Sequence, residues 1–171
     1  MENVQITKKW SKLRGIAVVS LADGSKLGTC DDFYFDPATS AISGLRVKTG
    51  LLTHRLLPVS AINTFGEDAI TTAAEDALQH ESDDKRVSAL PRAADLHDYK
   101  VLSAGGNMLG TVGDVILDVS TPSASRIAAF ELSGGLRERL GGKHVSFPAS
   151  QVQRYGQDVL VLPDEIAQSL H

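Results

Sequence analysis

The chain has 171 residues, of which 42% are hydrophobic and 22% are charged, and its formal net charge is −4. This balance is typical of a folded globular protein and excludes a disordered chain or a broadly basic surface for nucleic acid. Apolar runs such as Ile16–Val19 are far shorter than the roughly 20 residues that span a bilayer, so we expect no integral membrane segment. Residues 1–14 lack the apolar core typical of a signal peptide, and the sequence holds a single cysteine, Cys30, so we expect a cytoplasmic protein.

A basic stretch, Lys8–Arg14, begins the patterned part of the sequence. It places Trp10 among positive charges, a combination that RNA or an acidic membrane surface can bind. Such runs are more often solvated, so we expect an N-terminal arm ahead of the folded part.

Short β-strands are predicted next. The β-branched run Gly15–Ser20 is followed by the turn signal Asp23–Gly24 and by a second apolar run from Gly28, which together predict a β-hairpin. The second strand departs from strict alternation around Asp31–Asp32, which predicts a β-bulge there. Asp36 then begins the next turn.

The central segment, residues 75–95, is Ala-rich and acidic and lacks aromatic residues. We interpret it as a short helix near Ala73–His80 followed by a polar linker. A dilute protease is expected to cut first between Gln79 and Ala94.

The stretch GSKLGTCDDFYFD, Gly24–Asp36, reappears as GNMLGTVGDVILD, Gly106–Asp118. The repeated motif positions are Gly24, Gly28, Asp32 and Asp36 in the first copy and Gly106, Gly110, Asp114 and Asp118 in the second. The matches extend over most of the chain, with insertions confined to turns, as duplicated β units tolerate. The repeat predicts an all-β protein of two tandem small barrels, residues 11–74 and 96–171, joined by the acidic linker 75–95. Each barrel is followed by a short helix, the second of which begins near Pro163–Glu165.

These residues resemble the PRC-barrel family, whose pattern is L-x-G-x-x-V followed by G-x-x-x-G-x-V-x-D-x-x-x-D and a later proline. The first copy matches with Leu13-Arg14-Gly15-Ile-Ala-Val18, the glycine stretch and Pro58; the second matches with Val101, its glycine stretch and Pro148. The resemblance covers nearly the whole chain.

The resemblance implies a binding and assembly unit, because PRC-barrels form part of the reaction-centre H subunit and of a ribosome-maturation factor. It supplies no catalytic residues and no cofactor, so we expect a non-enzymatic scaffold that binds a protein partner. Two alternatives remain open. One is an RNA or ribonucleoprotein-assembly factor that uses Lys8–Arg14 and Arg137–Lys143, and the other is a peripheral subunit of a membrane complex.

Three residue sets could carry chemistry instead. The repeated aspartates could be paired carboxylates, although turn and bulge capping suits them at least as well. Cys30 could be a redox thiol, but its repeat partner is Val112, which favours a buried small side chain. His54 and His144 occupy equivalent positions and could form a metal site or a pH-sensitive contact, or simply begin two strands.

Two barrels of this size each bury a small share of their surface, so we expect them to cover one another across a pseudo-twofold axis. The candidate contact residues are Leu51, Leu52 and Leu56 in the first copy and Leu136, Leu140 and Phe147 in the second. If these side chains also extend beyond the intramolecular contact, the chain forms a homodimer. Separated halves should be less stable than the full chain and should associate when mixed.

Overall fold

The computed structural model describes residues 5–134 and 145–170. Strand β1 (Thr7–Lys9) and helix α1 (Trp10–Leu13) come first. The first sheet is built from β2 (Ala17–Ser20), β3 (Lys26–Phe35), β4 (Ile42–Lys48), β5 (His54–Pro58), β6 (Ile62–Phe65) and β7 (Ala69–Thr72). The central segment holds helices α2 (Lys85–Ser88) and α3 (Ala93–Leu96). The second half contains β8 (Lys100–Ser103), β9 (Met108–Asp118), β10 (Arg126–Ser133), β11 (Val145–Pro148), β12 (Arg154–Tyr155), β13 (Val159–Leu162) and helix α4 (Asp164–Ser169).

The two sheets share one topology. The first has the strand order β5-β4-β3-β2-β7-β6, and the second has β11-β10-β9-β8-β13-β12, in which every strand is replaced by its repeat equivalent. In each sheet one pair is parallel, β2 with β7 and β8 with β13, and the other pairs are antiparallel. The all-β prediction of two tandem units with short helices is therefore confirmed, and α4 follows Pro163 as expected.

The long central strand of each sheet carries the predicted bulge. The pairing of β3 with β4 shifts between Cys30 and Asp32, and that of β9 with β10 shifts at the equivalent point between Val112 and Asp114. The extra residues, Asp31 and Gly113, let the strand bend and return its next side chains to the core. The broken alternation in the sequence predicted this feature correctly.

The motif glycines meet two different steric demands. Gly24 and Gly106 have φ values of 72° and 90°, where a side chain is disfavoured. Gly28 and Gly110 lie where a Cβ would collide with the neighbouring backbone, with the Lys48 carbonyl in one unit and the Ser133 carbonyl in the other. The next turns are begun by aspartates, since Asp36 Oδ1 accepts a hydrogen bond from the Ala38 amide, and Asp118 Oδ1 accepts one from the Ser120 amide.

The core is continuous across both units. One buried cluster includes Phe33 and Phe35 of β3 together with Phe130 and Phe147 of the second sheet. The Tyr155 ring bridges the two sides, with its centroid 6.2 Å from that of Phe35 and 6.1 Å from that of Phe130. Cys30 is fully buried, and burial raises the pKa of its thiol, as expected for a core side chain.

The interpretation of the central segment as a solvated linker is wrong. Its predicted helix is only a 3₁₀ turn at Glu75–Ala77, and the segment then packs on the first sheet. Gln79 and Leu56 exchange two backbone hydrogen bonds of 2.8 Å, and Val87 is buried against Leu56 and Tyr34. The cleavage prediction rested on an undocked linker, and that premise does not hold.

Candidate functional site

The N-terminal segment, residues 5–14, is not a solvated arm but crosses from the first unit to the second. Strand β1 pairs with β9, with Lys9 opposite Ile116. The Ser11 amide and hydroxyl then donate to the two carboxylate oxygens of Asp114, at 3.2 and 2.6 Å. The segment ends at Leu13, which is 1% exposed. This contact attaches the start of the chain to the second sheet.

The end of the central segment, Arg92–Leu96, makes the equivalent crossing in the other direction. Arg92 forms an isolated antiparallel bridge with Tyr34, the repeat equivalent of Ile116. The Ala94 amide donates to Asp32 Oδ1 at 3.1 Å, as the Ser11 amide does to Asp114, and Leu96 is fully buried. The two units thus exchange segments reciprocally around a pseudo-twofold axis.

A second symmetric contact joins the starts of β4 and β10. The Ile42 amide donates to the Ser125 carbonyl at 3.0 Å, and the equivalent Ile127 amide donates to the Ser40 carbonyl at 2.8 Å. A pseudo-twofold contact, which the repeat predicts, is therefore present, but it is made by backbone groups at strand ends.

A cleft of about 360 Å³ lies between the two crossing segments. Both repeats contribute equivalent positions to it: Arg14 and His97, Trp10 and Ala93, Ser11 and Ala94, and Asp32 and Asp114. The first unit adds the charged side chains Asp31 and Arg46, whereas Gly113 stands in the second at the position of Asp31. The cleft therefore has a symmetric frame and an asymmetric lining.

The two capping aspartates differ in their surroundings. Asp32 is 4% exposed, and its Oδ1 accepts from the amides of Phe33 and Ala94, with the Arg92 guanidinium 3.8 Å from Oδ2. Burial raises the pKa of Asp32, and the two amide hydrogen bonds and Arg92 oppose that rise only in part. Asp114 is half-buried and receives its hydrogen bonds from Ser11 and the Val115 amide.

Next to the cleft, an ion-pair cluster fixes the central segment on the first sheet. Arg46 Nε donates to Glu81 Oε1 at 2.7 Å, and its guanidinium lies 3.6 Å from Asp31. Partial burial acts to raise the pKa of Glu81, but the hydrogen bond and charge of Arg46 outweigh it, and the pKa is lowered. Burial, with Glu81 nearby, raises the pKa of Tyr34 to about 12.

His54 contributes to this cluster. Its Nε2 lies 3.2 Å from Asp31 Oδ2. The equivalent His144 lies outside the described residues, so the predicted contact between the two histidines stays a prediction. Within residues 5–134 and 145–170, no group of three His, Cys, Asp or Glu side chains is arranged to hold a metal ion.

The predicted leucine contact between the units is not the one observed. Leu51 and Leu52 are 85% and 88% exposed at the β4–β5 turn, so they do not lie in the intramolecular contact. Leu56 is buried against the central segment and Phe147 within the core, where its ring lies 5.6 Å from that of Phe130. Leu136 and Leu140 lie outside the described residues. Backbone pairing and crossing segments hold the units together instead.

Comparison with known families assigns both halves to the same domain. The model of the PRC-barrel domain matches residues 6–78 and again residues 92–167. No curated protein matches the chain. In the described part of the chain, no helix is long and apolar enough to cross a membrane. Both matches begin within the crossing segments, which therefore belong to the domains that they start. The chain belongs to the PRC-barrel family and carries two tandem copies of its domain.

Proposed function

We propose that this protein is a non-catalytic assembly module that binds a protein partner, with its two PRC units acting as one body. Reciprocal exchange and a continuous core support the rigid arrangement, because neither unit can move away without exposing buried leucines. The lone, buried cysteine suits a reducing compartment, and we place the module in the cytoplasm.

The observation that carries this proposal is the leucine tip, Leu51–Leu52, at the β4–β5 turn. Both side chains are almost fully exposed. A hairpin turn that faces only solvent does not need two adjacent leucines. Lys48, also exposed, precedes the tip. Contiguous exposed apolar side chains with a polar rim are typical of protein contact sites. We propose the leucine tip as the centre of the partner contact.

The RNA alternative has less support from the described residues, and its second basic stretch, Arg137–Lys143, lies outside them. Lys9 forms an ion pair with Glu131 at 2.7 Å, so its charge is not free for phosphate. Trp10 packs edge-on against Phe33, with ring centroids 4.9 Å apart, and cannot offer both faces to a base. The membrane-complex alternative has only the family resemblance behind it.

The test compares two double variants of the full chain. Leu51→Ser with Leu52→Ser removes the tip, and Leu21→Ser with Met108→Ser removes two other exposed apolar side chains as the matched control. Affinity capture from the native cell, with each retained protein quantified, should recover one partner with the wild type and the control but not with the tip variant.

Ultracentrifugation of the same proteins tests self-association. A homodimer lost only in the tip variant would identify the partner as a second copy. Equal capture by all three proteins, or capture that disappears between low and moderate salt and upon RNase treatment, would contradict the proposal.

A further inference from the structure

We propose that the cleft between the two units binds a small free oxyanion, a carboxylate- or phosphate-bearing molecule, through Arg14 and His97. This inference goes beyond the assembly role, since it assigns a ligand to a site that the partner contact does not use. It rests on the balance of hydrogen-bond donors and acceptors in the cleft.

Each carboxylate of the cleft already faces at least one donor of the protein. Asp32 accepts from two backbone amides and faces Arg92, and both oxygens of Asp114 accept from Ser11. Asp31 lies within 3.6 Å of Arg46 and 3.2 Å of His54. A ligand cation would compete with these partners, and among the described residues no group of three His, Cys, Asp or Glu side chains is arranged to hold a metal ion.

The donors, in contrast, are in surplus. Among the described residues, the Arg14 guanidinium makes no hydrogen bond or ion pair, and its five N–H groups are therefore available. In the same part of the chain, the His97 side chain is 72% exposed and forms an ion pair only with its exposed neighbour Asp98, at 3.7 Å. An unoccupied planar fork of donors matches the oxygens of carboxylate or phosphate.

The symmetry of the fold explains why these donors line the same cleft. Arg14 and His97 are repeat equivalents that directly follow Leu13 and Leu96, the buried ends of the two crossing segments. Each segment delivers one basic side chain to the same cleft from opposite sides of the axis. The volume of about 360 Å³ lies in the range of small-molecule sites. An oxyanion bound there would contact both units at once and stabilise their arrangement.

The experiment uses inorganic phosphate and citrate as probes, at constant ionic strength held with chloride. Titration calorimetry and thermal unfolding are measured for the full-length wild type and for Arg14→Gln, His97→Gln and Lys12→Gln. Lys12 is the matched control because it is an exposed cation two residues before Arg14, on helix α1, and does not line this cleft. Unfolding without ligand shows that each variant is folded.

At least one probe should bind the wild type and Lys12→Gln equally and raise their melting temperatures. Arg14→Gln should weaken that binding at least tenfold, and His97→Gln should also weaken it, because each variant removes a donor that lines the cleft. The inference is overturned if neither probe binds, or if Arg14→Gln and Lys12→Gln lose affinity alike. It is also overturned if phosphate-headgroup vesicles, but neither free probe, bind in an Arg14-dependent manner.

Discussion

The two crossing segments perform the same task with unequal means. The N-terminal segment contacts the second sheet through the three-residue strand β1 and the hydrogen bonds of Ser11, and it then buries Leu13. The central segment crosses the first sheet over a longer path, because it also pairs Gln79 with β5 and buries Val87 before it reaches Asp32. The features common to both crossings show what each unit receives from the crossing segment: a buried leucine and a hydrogen-bond donor for the bulge aspartate. The remainder differs between the units.

Charge at the crossings follows the same rule. Arg46 and Glu131 stand at equivalent positions with opposite charges. Each meets an opposite charge from a segment packed on its sheet, Glu81 of the central segment in the first unit and Lys9 of the N-terminal segment in the second. Both units therefore have an ion pair at this position, but the sheet residue is positive in the first unit and negative in the second.

Separating the two units should cause the largest loss of stability, because it removes both crossing contacts at once. Fragments 1–82 and 83–171 each keep one sheet, but each loses the segment that the other supplies. We expect both fragments alone to unfold at much lower denaturant concentration than the full chain, and to associate when mixed, because the exchanged leucines and the shared core are then restored. Ultracentrifugation and denaturant unfolding measure both effects.

A full-length chain with a protease site inserted after Ser82 is the control, since nicking it leaves both segments in place. The nicked protein should remain one species. Equal melting temperatures for fragments and full chain, without association, would mean that the two units are independent modules.

Truncating the buried leucine of each crossing segment tests whether the anchors are equal. Leu13→Ala and Leu96→Ala remove side chains that are 1% and 0% exposed, and each should lower the free energy of unfolding by about 2–5 kcal/mol. The exposed Leu21→Ala is the control, with little expected change. A loss for Leu13→Ala well below that for Leu96→Ala would show that the shorter N-terminal segment detaches without unfolding its sheet.

The next largest effect on the free energy of unfolding is expected from Asp32, the bulge aspartate of the first unit. Asp32→Ala leaves the amides of Phe33 and Ala94 without an acceptor, at a cost of about 1–3 kcal/mol in the free energy of unfolding. Asp32→Asn keeps a carbonyl oxygen in place and should cost less at neutral pH. Equal losses for the two variants, measured by denaturant unfolding, would mean that the amides do not depend on this acceptor.

Asp32→Asn also isolates a pH effect. Because burial raises the pKa of Asp32 above its ordinary value of about 3.9, the folded protein holds this proton more tightly than the unfolded chain. The stabilisation is complete below pH 3.9 or so and is lost as pH rises through the raised pKa. Over that window the wild type should lose stability relative to Asp32→Asn. A constant difference between the two proteins would contradict the raised pKa.

Periodicity and the repeat predicted the strands, both bulges and the turn aspartates, because these features depend on nearby residues. The crossings escaped prediction, since Lys8–Arg14 and residues 75–95 are polar and look solvated when only local pattern is considered. One signal was available: Leu13 and Leu96 are repeat equivalents, each following a short polar stretch. The sheet against which each leucine packs depends on how the two units are arranged, and local composition does not predict that arrangement.

The leucine tip was identified from the sequence, but its environment was not. A leucine in a turn can be covered by the other unit or exposed to solvent, and the choice depends on how the units are oriented. Here the backbone contact between Ile42 and Ser125 sets that orientation and leaves Leu51 outside it. The cleft could not be predicted for the same reason, since Arg14 and His97 line one cleft only after both segments have crossed.

The smallest expected effect concerns the residue after each basic side chain of the cleft, where the crossing segment turns into its own sheet. Gly15 and Asp98 are equivalent there, with φ values of 92° and 70°. A Cβ at Gly15 would meet no atom within 4 Å, so a substitution changes only the backbone preference. Gly15→Ala should therefore cost about 1–2 kcal/mol in the free energy of unfolding, while Gly15→Asp should cost less because aspartate tolerates this conformation better. Asp98→Gly should change stability little, since relief of φ is offset by greater freedom of the unfolded chain. Denaturant unfolding of the three variants gives the order. A larger loss for Gly15→Asp than for Gly15→Ala would show that the two turns are not equivalent, because the aspartate that the second unit accepts at this position would then be unfavourable in the first.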